Sequence, residues 1–217
     1  MRAVVFDMDG LMFDTERLAM AAWDYAGEKL GVGKAGYMVM KTLGVTAERA
    51  DEIWREEFGA DIDTEAMRRY GREFTDDFYE HNKVPVKPGL YELLDWLKSV
   101  GVKNAVASSS TRRAVDRNLK SAGITDKFNV TVCGEMAARS KPAPDIYLKA
   151  CELLGESAED CIALEDSRNG LWSAHNAGCR VIMVPDLWQA DAETEKILWK
   201  KLGSLLEVRD FLRDNEQ

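Results

Sequence analysis

The sequence contains only two histidines, His81 and His175, so a zinc site built from histidine ligands is not expected. Its four cysteines are dispersed and form no Cys-x-x-Cys pair. This usage favours buried thiols in a reducing compartment and predicts a cytoplasmic protein. No apolar run approaches the roughly 20 residues that a membrane helix needs, and the first residues show a strand pattern rather than a signal peptide. We therefore expect no membrane partner.

Basic residues are outnumbered, with 29 Lys and Arg against 38 Asp and Glu and a net charge of −9. Nucleic acids are bound through basic surfaces, so this balance argues against a nucleic-acid partner. It also means that an anionic substrate needs a local source of positive charge. A metal ion, a lysine or the N-termini of helices could supply that charge.

One acidic pair stands directly after the first apolar run. Residues 3–6 read as a buried strand and are followed by Asp7, Asp9 and Gly10. Because side chains alternate along an extended segment, Asp7 and Asp9 leave the strand on the same side. Two close carboxylates repel each other unless a cation or a shared proton lies between them, and Mg²⁺ is a hard cation that takes oxygen ligands. The plainer alternative is a solvated acidic turn.

The rest of the chain divides according to its periodicity. Residues 16–82 show helical periodicity without a convincing strand, which predicts a small inserted α-helical cap. From residue 83 onward, strand and helix patterns alternate, which is typical of a mostly parallel sheet covered on both faces. The predicted fold class is α/β, with a three-layer α/β/α Rossmann-like core in residues 1–15 and 83–217.

Polar residues follow several of the predicted strands. Ser108 opens a serine run after the second strand pattern, and Glu165 and Asp166 follow a later one. Ligands of parallel sheets bind outside the carboxyl ends of the strands, so we expect these residues and Asp7 at one edge. Two alternatives stay open, because Ser108 could simply cap a helix and the acidic pair could simply begin one.

Four short motifs occur in order along the chain: Phe-Asp-Met-Asp-Gly, Ala-Ser-Ser-Ser, Ser-Lys-Pro-Ala-Pro-Asp and Leu-Glu-Asp-Ser-Arg-Asn-Gly. In this order they resemble the haloacid dehalogenase superfamily, in the branch similar to β-phosphoglucomutase. The resemblance implies that Asp7 is a nucleophile that forms an aspartyl-phosphate and that Asp9 is the general acid and base. It also implies that Ser108 binds a phosphoryl oxygen and that Lys141 offsets its charge.

A Mg²⁺ cofactor follows from the same resemblance. Its ligands would be Asp7, the backbone carbonyl of Asp9 and Asp166. Glu165 would be either a further ligand or a neighbour that orients one.

Further residues are candidates for substrate binding: Thr15, Trp23, Gly44, Ser109, Ser110 and Arg112. Trp23 matches a substrate-facing tryptophan of the mutase, but it could equally pack inside the cap. Arg112 could contact phosphate, although a solvated arginine at the start of a helix is the simpler interpretation.

Departures from the mutase favour a phosphatase. Ala19 stands where the mutase has a histidine, and Leu43 and Ala47 stand where it has a lysine and an arginine for a second phosphate. The predicted function is therefore that of a monomeric, Mg²⁺-dependent phosphatase acting on a small phosphate ester, such as a sugar phosphate. A phosphomutase, or a catalytically silent binding protein with the same fold, is the alternative, and a dehalogenase has little use for Asp9.

Overall fold

Six parallel strands form a sheet in the first of two compact units. The computed structural model describes residues 1–42 and 47–215. The first unit comprises Met1–Phe13 and Pro85–Gln217, and the second, helical unit comprises Asp14–Val84.

The strands follow the apolar runs of the sequence and are β1 Ala3–Phe6, β2 Lys103–Ala107, β3 Val130–Val132, β4 Cys161–Glu165, β5 Arg180–Met183 and β6 Lys200–Lys201. Their order across the sheet is β3-β2-β1-β4-β5-β6, and every pair is parallel. Strand β1 is central, with Phe6 in register with Val106 of β2 and Leu164 of β4. The carboxyl ends of these three strands therefore meet at one edge.

The helices of the helical unit are α1 Thr15–Lys29, α2 Met38–Thr42, α3 Ala47–Phe58 and α4 Thr64–His81. Those of the first unit are α5 Leu90–Ser99, α6 Arg112–Ala122, α7 Asp145–Leu154, α8 Arg168–Ala177 and α9 Leu205–Asn215. None of the helices in the described residues is long and apolar enough to cross a membrane.

Helices cover both faces of the sheet. On one face, Val5, Ala105 and Ala163 pack in a buried cluster with Tyr147 of α7 and Leu171 of α8. On the other face, α5 contacts both β2 and α9. Strand β1 is buried along its whole length, as expected for a strand covered on both sides. The predicted three-layer α/β/α core with a parallel sheet is confirmed.

The helical unit has its own apolar core. Its helices α1 and α4 pack together, and Trp23 of α1 lies edge-to-face on Trp54 with ring centroids 5.3 Å apart. A Cβ at Gly71 of α4 would approach the Trp23 ring to 3.1 Å, so this glycine permits the close packing. Trp23 therefore contributes to the core of this unit, as one of the two sequence interpretations expects.

Candidate active site

Three strand ends deliver the predicted acidic and hydroxyl residues to one edge of the sheet. Asp7 follows β1, Ser108 follows β2, and Asp166 follows Glu165, the last residue of β4. The backbone continues the parallel pairing for one residue, because the Asp7 N–H donates to the Leu164 carbonyl at 3.0 Å. All four of these polar residues are buried. The edge expected from the strand pattern is therefore where these side chains gather.

Lys141 reaches this edge from the loop before α7. Its Nζ lies 2.5 Å from Asp7 Oδ1 and 2.6 Å from Glu165 Oε1, and its side chain is 7% exposed. A buried ammonium is tolerated only where it is paired and hydrogen-bonded, and here two carboxylates meet it. Lys141 therefore lies in contact with Asp7, the residue whose charge it is predicted to offset.

Glu165 is completely buried and is held from several sides. Its Oε1 accepts hydrogen bonds from Lys141 Nζ and from the Tyr147 hydroxyl, the latter at 2.7 Å. Its Oε2 accepts from the backbone N–H groups of Asp166 and Ser167 at 3.2 and 3.3 Å, and from Ser167 Oγ at 3.1 Å. Both oxygens of Glu165 are thus occupied by protein donors, which fixes the orientation of its carboxylate.

Two glycines make room for these carboxylates. A Cβ at Gly170 of α8 would lie 1.9 Å from Glu165 Oε1, so only glycine fits beside that carboxylate. A Cβ at Gly10 would lie 2.2 Å from Asp166 Oδ2, and Gly10 also has a positive φ of 86°. That backbone conformation costs glycine little and other residues more. Gly10 therefore serves both the turn after Asp7 and the placement of Asp166.

The donor set fits a divalent cation. Asp7, Glu165 and Asp166 each present a carboxylate oxygen, and these atoms lie within 4.8 Å of one another. When all three are ionised, these buried carboxylates exceed the one ammonium of Lys141 by two negative charges. Hard cations such as Mg²⁺ prefer carboxylate oxygens and would neutralise that excess. The residues present therefore suit the predicted Mg²⁺.

Burial governs the protonation of the pair formed by Asp7 and Lys141. Desolvation raises the pKa of Asp7 to about 8, with further upward contributions from Glu165 and Asp9 and an opposing one from Lys141. Burial by itself favours the neutral amine of Lys141, but the charges of Asp7 and Glu165 raise its pKa above the ordinary value. Lys141 therefore remains an ammonium, and added positive charge would favour the ionised, nucleophilic form of Asp7.

A match of the haloacid dehalogenase-like hydrolase family model covers residues 4–184, which include all of these groups. The chain belongs to this family. Among its relatives, a β-phosphoglucomutase of Bacillus subtilis (strain 168) is 31% identical, over 82% of this chain and 80% of its own length. A phosphorylated carbohydrates phosphatase of Thermotoga maritima is 30% identical, over 82% of each chain. The subfamily is that of β-phosphoglucomutase, CbbY and the sugar phosphatases.

Solved structures agree with this assignment. A crystal structure of a variant of CbbY from Rhodobacter sphaeroides, in complex with xylulose-(1,5)bisphosphate, has a TM-score of 0.78 and 29% identity to this chain. The alignment covers 95% of both chains. The protein is accordingly a haloacid dehalogenase-like hydrolase, of the phosphatase kind, built on the fold that the sequence motifs predict.

In this hydrolase, the predicted acid and base lies among the serines after β2. The Ser110 hydroxyl donates to Asp9 Oδ2 at 2.7 Å, and Ser108 Oγ lies 3.4 Å from the same oxygen. Helix α6 is capped by Thr111, whose side chain accepts from the Ala114 N–H. Ser108 is therefore not the cap of this helix, which removes the plainer of its two interpretations.

The second open alternative was that Glu165 and Asp166 simply begin helix α8. The cap of that helix is Ser167, which accepts from the Gly170 N–H at 3.2 Å. Glu165 and Asp166 precede the cap, and their carboxylates belong to the buried cluster.

The remaining predicted substrate-binding residues lie in different places. Ser109 is exposed, and its backbone carbonyl oxygen lies so close to Gly134 that a Cβ there would approach it to 2.4 Å. Arg112 donates to the Thr131 carbonyl at 3.2 Å and lies 3.5 Å from Asp116, so its guanidinium is engaged on the surface. Thr15 begins α1 and Trp23 follows in the same helix. Gly44 and Leu43 lie outside the described residues.

Tyr147 and Ser167 are site residues that sequence reasoning does not identify. Tyr147 occupies an apolar position of α7, where its hydroxyl carries no sequence signal. Ser167 and Gly170 do fall within the Leu-Glu-Asp-Ser-Arg-Asn-Gly motif, but the motif alone does not show that they hold Glu165.

Proposed function

We propose that this hydrolase is a Mg²⁺-dependent phosphatase that acts on a small phosphorylated metabolite, a sugar phosphate in particular. The observation that carries the proposal is the contact of Lys141 with Asp7 inside a buried cluster of carboxylates that suits a divalent cation. The names of the relatives support the substrate class, since they include a phosphatase of phosphorylated carbohydrates. The monomeric state and the cytoplasmic location remain predictions.

In the first half of the reaction, a carboxylate oxygen of Asp7 would attack phosphorus in line with the leaving alkoxide. Lys141 would offset the charge that builds up between the phosphoryl group and Asp7. Ser108 would donate a hydrogen bond to a phosphoryl oxygen. Mg²⁺, held by Asp7, the Asp9 carbonyl and Asp166, would supply electrostatic stabilisation of the phosphoryl oxygens.

Asp9 would transfer the protons of both half-reactions. As an acid it would protonate the leaving alkoxide when the P–O bond to the sugar breaks, so that an alcohol departs. As a carboxylate it would then accept a proton from water, which attacks phosphorus and releases Asp7 and inorganic phosphate. The hydrogen bond from Ser110 to Asp9 Oδ2 supports a defined position for this group.

A phosphomutase is the competing function, because a β-phosphoglucomutase is among the relatives. Ala19, Leu43 and Ala47 speak against it, since none of them can supply the imidazole or the cations of the mutase. Incubation with β-glucose 1-phosphate, a bisphosphate primer and Mg²⁺ separates the two functions. A phosphatase releases inorganic phosphate, whereas a mutase forms glucose 6-phosphate.

Two carboxylate variants accompany this assay: one removes the predicted nucleophile, and the other is its control. Asp7→Asn should abolish phosphate release across a panel of sugar phosphates and p-nitrophenyl phosphate. Asp160→Asn, which alters an exposed aspartate beside Arg2, should leave it unchanged. Turnover that survives Asp7→Asn would refute the nucleophile assignment, and no turnover by the unmodified protein would favour a silent binding protein.

A further inference from the structure

Tyr147 is the largest completely buried side chain in the described part of the protein, and it carries a hydroxyl into an otherwise apolar cluster. Its neighbours in that cluster include Ile146, Ala150 and Leu171. Removing a hydroxyl from water without a partner is costly, so a phenylalanine would be the simpler choice for packing alone. The hydroxyl of Tyr147 instead donates to Glu165 Oε1 at 2.7 Å.

The same oxygen of Glu165 also accepts from Lys141 Nζ, at 2.6 Å. The ammonium lies 5.0 Å from the centroid of the Tyr147 ring, within the range of a cation–π interaction. Tyr147 therefore approaches Lys141 in two ways, through its ring directly and through its hydroxyl by way of Glu165. The same ammonium donates to Asp7 Oδ1 at 2.5 Å.

We propose that Tyr147 is a positioning residue, which acts through Glu165 to hold the ammonium of Lys141 against Asp7. This inference rests on the proposed function for its effect on turnover, but its structural part stands by itself. The ammonium has three donors and a flexible stem, so a single carboxylate partner leaves it several orientations. The hydroxyl of Tyr147 fixes the carboxylate, and the fixed carboxylate selects one orientation of the ammonium.

Three further donors hold the carboxylate of Glu165. The opposite oxygen of Glu165 accepts from two backbone N–H groups and from Ser167 Oγ, and Gly170 leaves space for the carboxylate. Glu165 is thereby held at both ends, with Tyr147 as the side-chain donor at the end that faces Lys141. Loss of the Tyr147 hydroxyl would loosen Glu165 Oε1, the oxygen that also accepts from Lys141, and would leave the contacts of Oε2 intact.

Tyr147→Phe tests this, because it removes the hydroxyl and keeps the ring. Tyr91→Phe is the matched control, since it also removes one hydroxyl hydrogen bond, from Tyr91 to the Ala122 carbonyl at 3.0 Å, on a partly exposed helix of the same unit. We expect Tyr147→Phe to lower kcat about 10- to 150-fold, the loss typical of one hydrogen bond to a charged group, with KM within about twofold. Tyr91→Phe should change neither constant.

A double-mutant cycle distinguishes positioning from packing. If Tyr147 acts through Lys141, then Tyr147→Phe should lower kcat by less than about twofold in a Lys141→Met background. An undiminished further loss in that background would show that the hydroxyl acts independently of the ammonium and would overturn the proposal.

A readout that does not need turnover is the ¹H–¹⁵N signal of the Lys141 ammonium in full-length protein labelled with ¹⁵N-lysine, assigned by its loss in Lys141→Arg. It should be sharp in the unmodified protein and in Tyr91→Phe, and broadened in Tyr147→Phe. If Tyr147→Phe does not fold, Glu165→Gln should broaden the signal in the same way. A sharp, unshifted signal in the folded variant would overturn the proposal. If the unmodified protein hydrolyses no phosphate ester, the proposed function fails, while the ammonium signal still decides the role of Tyr147.

Discussion

Lys141 Nζ lies 2.5 Å from Asp7 Oδ1, although 134 positions separate the two residues in sequence. The contact joins the loop before α7 to the end of the central strand β1. Because both groups are buried, the attraction is screened less by water than that of a surface ion pair.

Replacing Lys141 with methionine keeps the length of the side chain and removes its charge. We expect kcat for phosphate release to fall about 10²- to 10³-fold, as when an electrostatic group that stabilises a transition state is removed. Steady-state kinetics with Mg²⁺ at saturation would measure this. Lys103→Met is the control, because Lys103 also pairs with a carboxylate, Glu156 at 2.7 Å, but on the surface. A loss of similar size in the control would contradict the prediction.

The raised pKa of Asp7 makes the stability of the metal-free protein depend on pH. Its carboxyl has a pKa of about 8 when folded, against an ordinary value of 3.8, so the folded state holds a proton that the unfolded state has lost between these values. The unfolding free energy should therefore fall as pH rises through that window, by at most about 1.4 kcal/mol per unit.

Asp7→Asn removes the titrating carboxyl group. Comparing the thermal stability of this variant with that of the unmodified protein at several pH values therefore isolates the contribution of Asp7. In EDTA, the Tm of Asp7→Asn minus that of the unmodified protein should increase from pH 5 to pH 8. Thermal unfolding of both proteins, with Asp160→Asn as the exposed control, measures the difference. A difference that stays constant with pH would mean that the burial of Asp7 does not disfavour its charge.

Removal of Mg²⁺ should lower thermal stability through the same cluster. At a concentration about 100 times Kd, a ligand that binds only the folded state contributes about 2.7 kcal/mol. We expect Mg²⁺ to raise the Tm of the unmodified protein and of Asp126→Asn, which alters an exposed aspartate. The increase should vanish in Asp166→Asn. An unchanged increase in Asp166→Asn would remove this residue from the metal site.

Gly10 and Gly101 form a matched pair, since both have positive φ. A Cβ at Gly101 meets no atom within 4 Å, whereas one at Gly10 would meet Asp166 Oδ2 at 2.2 Å. Gly101→Ala should therefore cost only the backbone strain, about 1 kcal/mol of unfolding free energy. Gly10→Ala should cost more and should also weaken Mg²⁺ binding, measured by calorimetry. Equal Mg²⁺ affinity in the two variants would contradict the role given to Gly10.

Local patterns were enough to predict the sheet and the edge at which Asp7, Ser108 and Asp166 gather. Apolar runs predict the main strands, and parallel strands place their carboxyl ends together. The two-residue strand Lys200–Lys201 gives no such signal, because its side chains are exposed and charged. Its place in the sheet depends on backbone pairing with β5, and backbone pairing does not require any particular pattern of apolar side chains.

The partners of Glu165 were beyond what the sequence could predict. Glu165 was expected to ligate the metal or to lie beside a ligand, and its contacts with Lys141 and Tyr147 depend on how a loop and a helix pack. A tyrosine in an apolar helical pattern predicts a core residue. The role of its hydroxyl can be inferred only when the residue that accepts its hydrogen bond is known. Side-chain interactions between distant segments therefore needed the structure.

Trapping the phosphoryl group on the enzyme would show directly whether Asp7 is the nucleophile. The protein would be mixed with ³²P-labelled sugar phosphate and Mg²⁺, quenched with acid within one turnover and digested for peptide mapping. We predict label on the peptide that contains Asp7, less of it in Lys141→Met and none in Asp7→Asn. Label on another peptide, or rapid phosphate release with no labelled peptide at any quench time, would contradict the role of Asp7 as nucleophile.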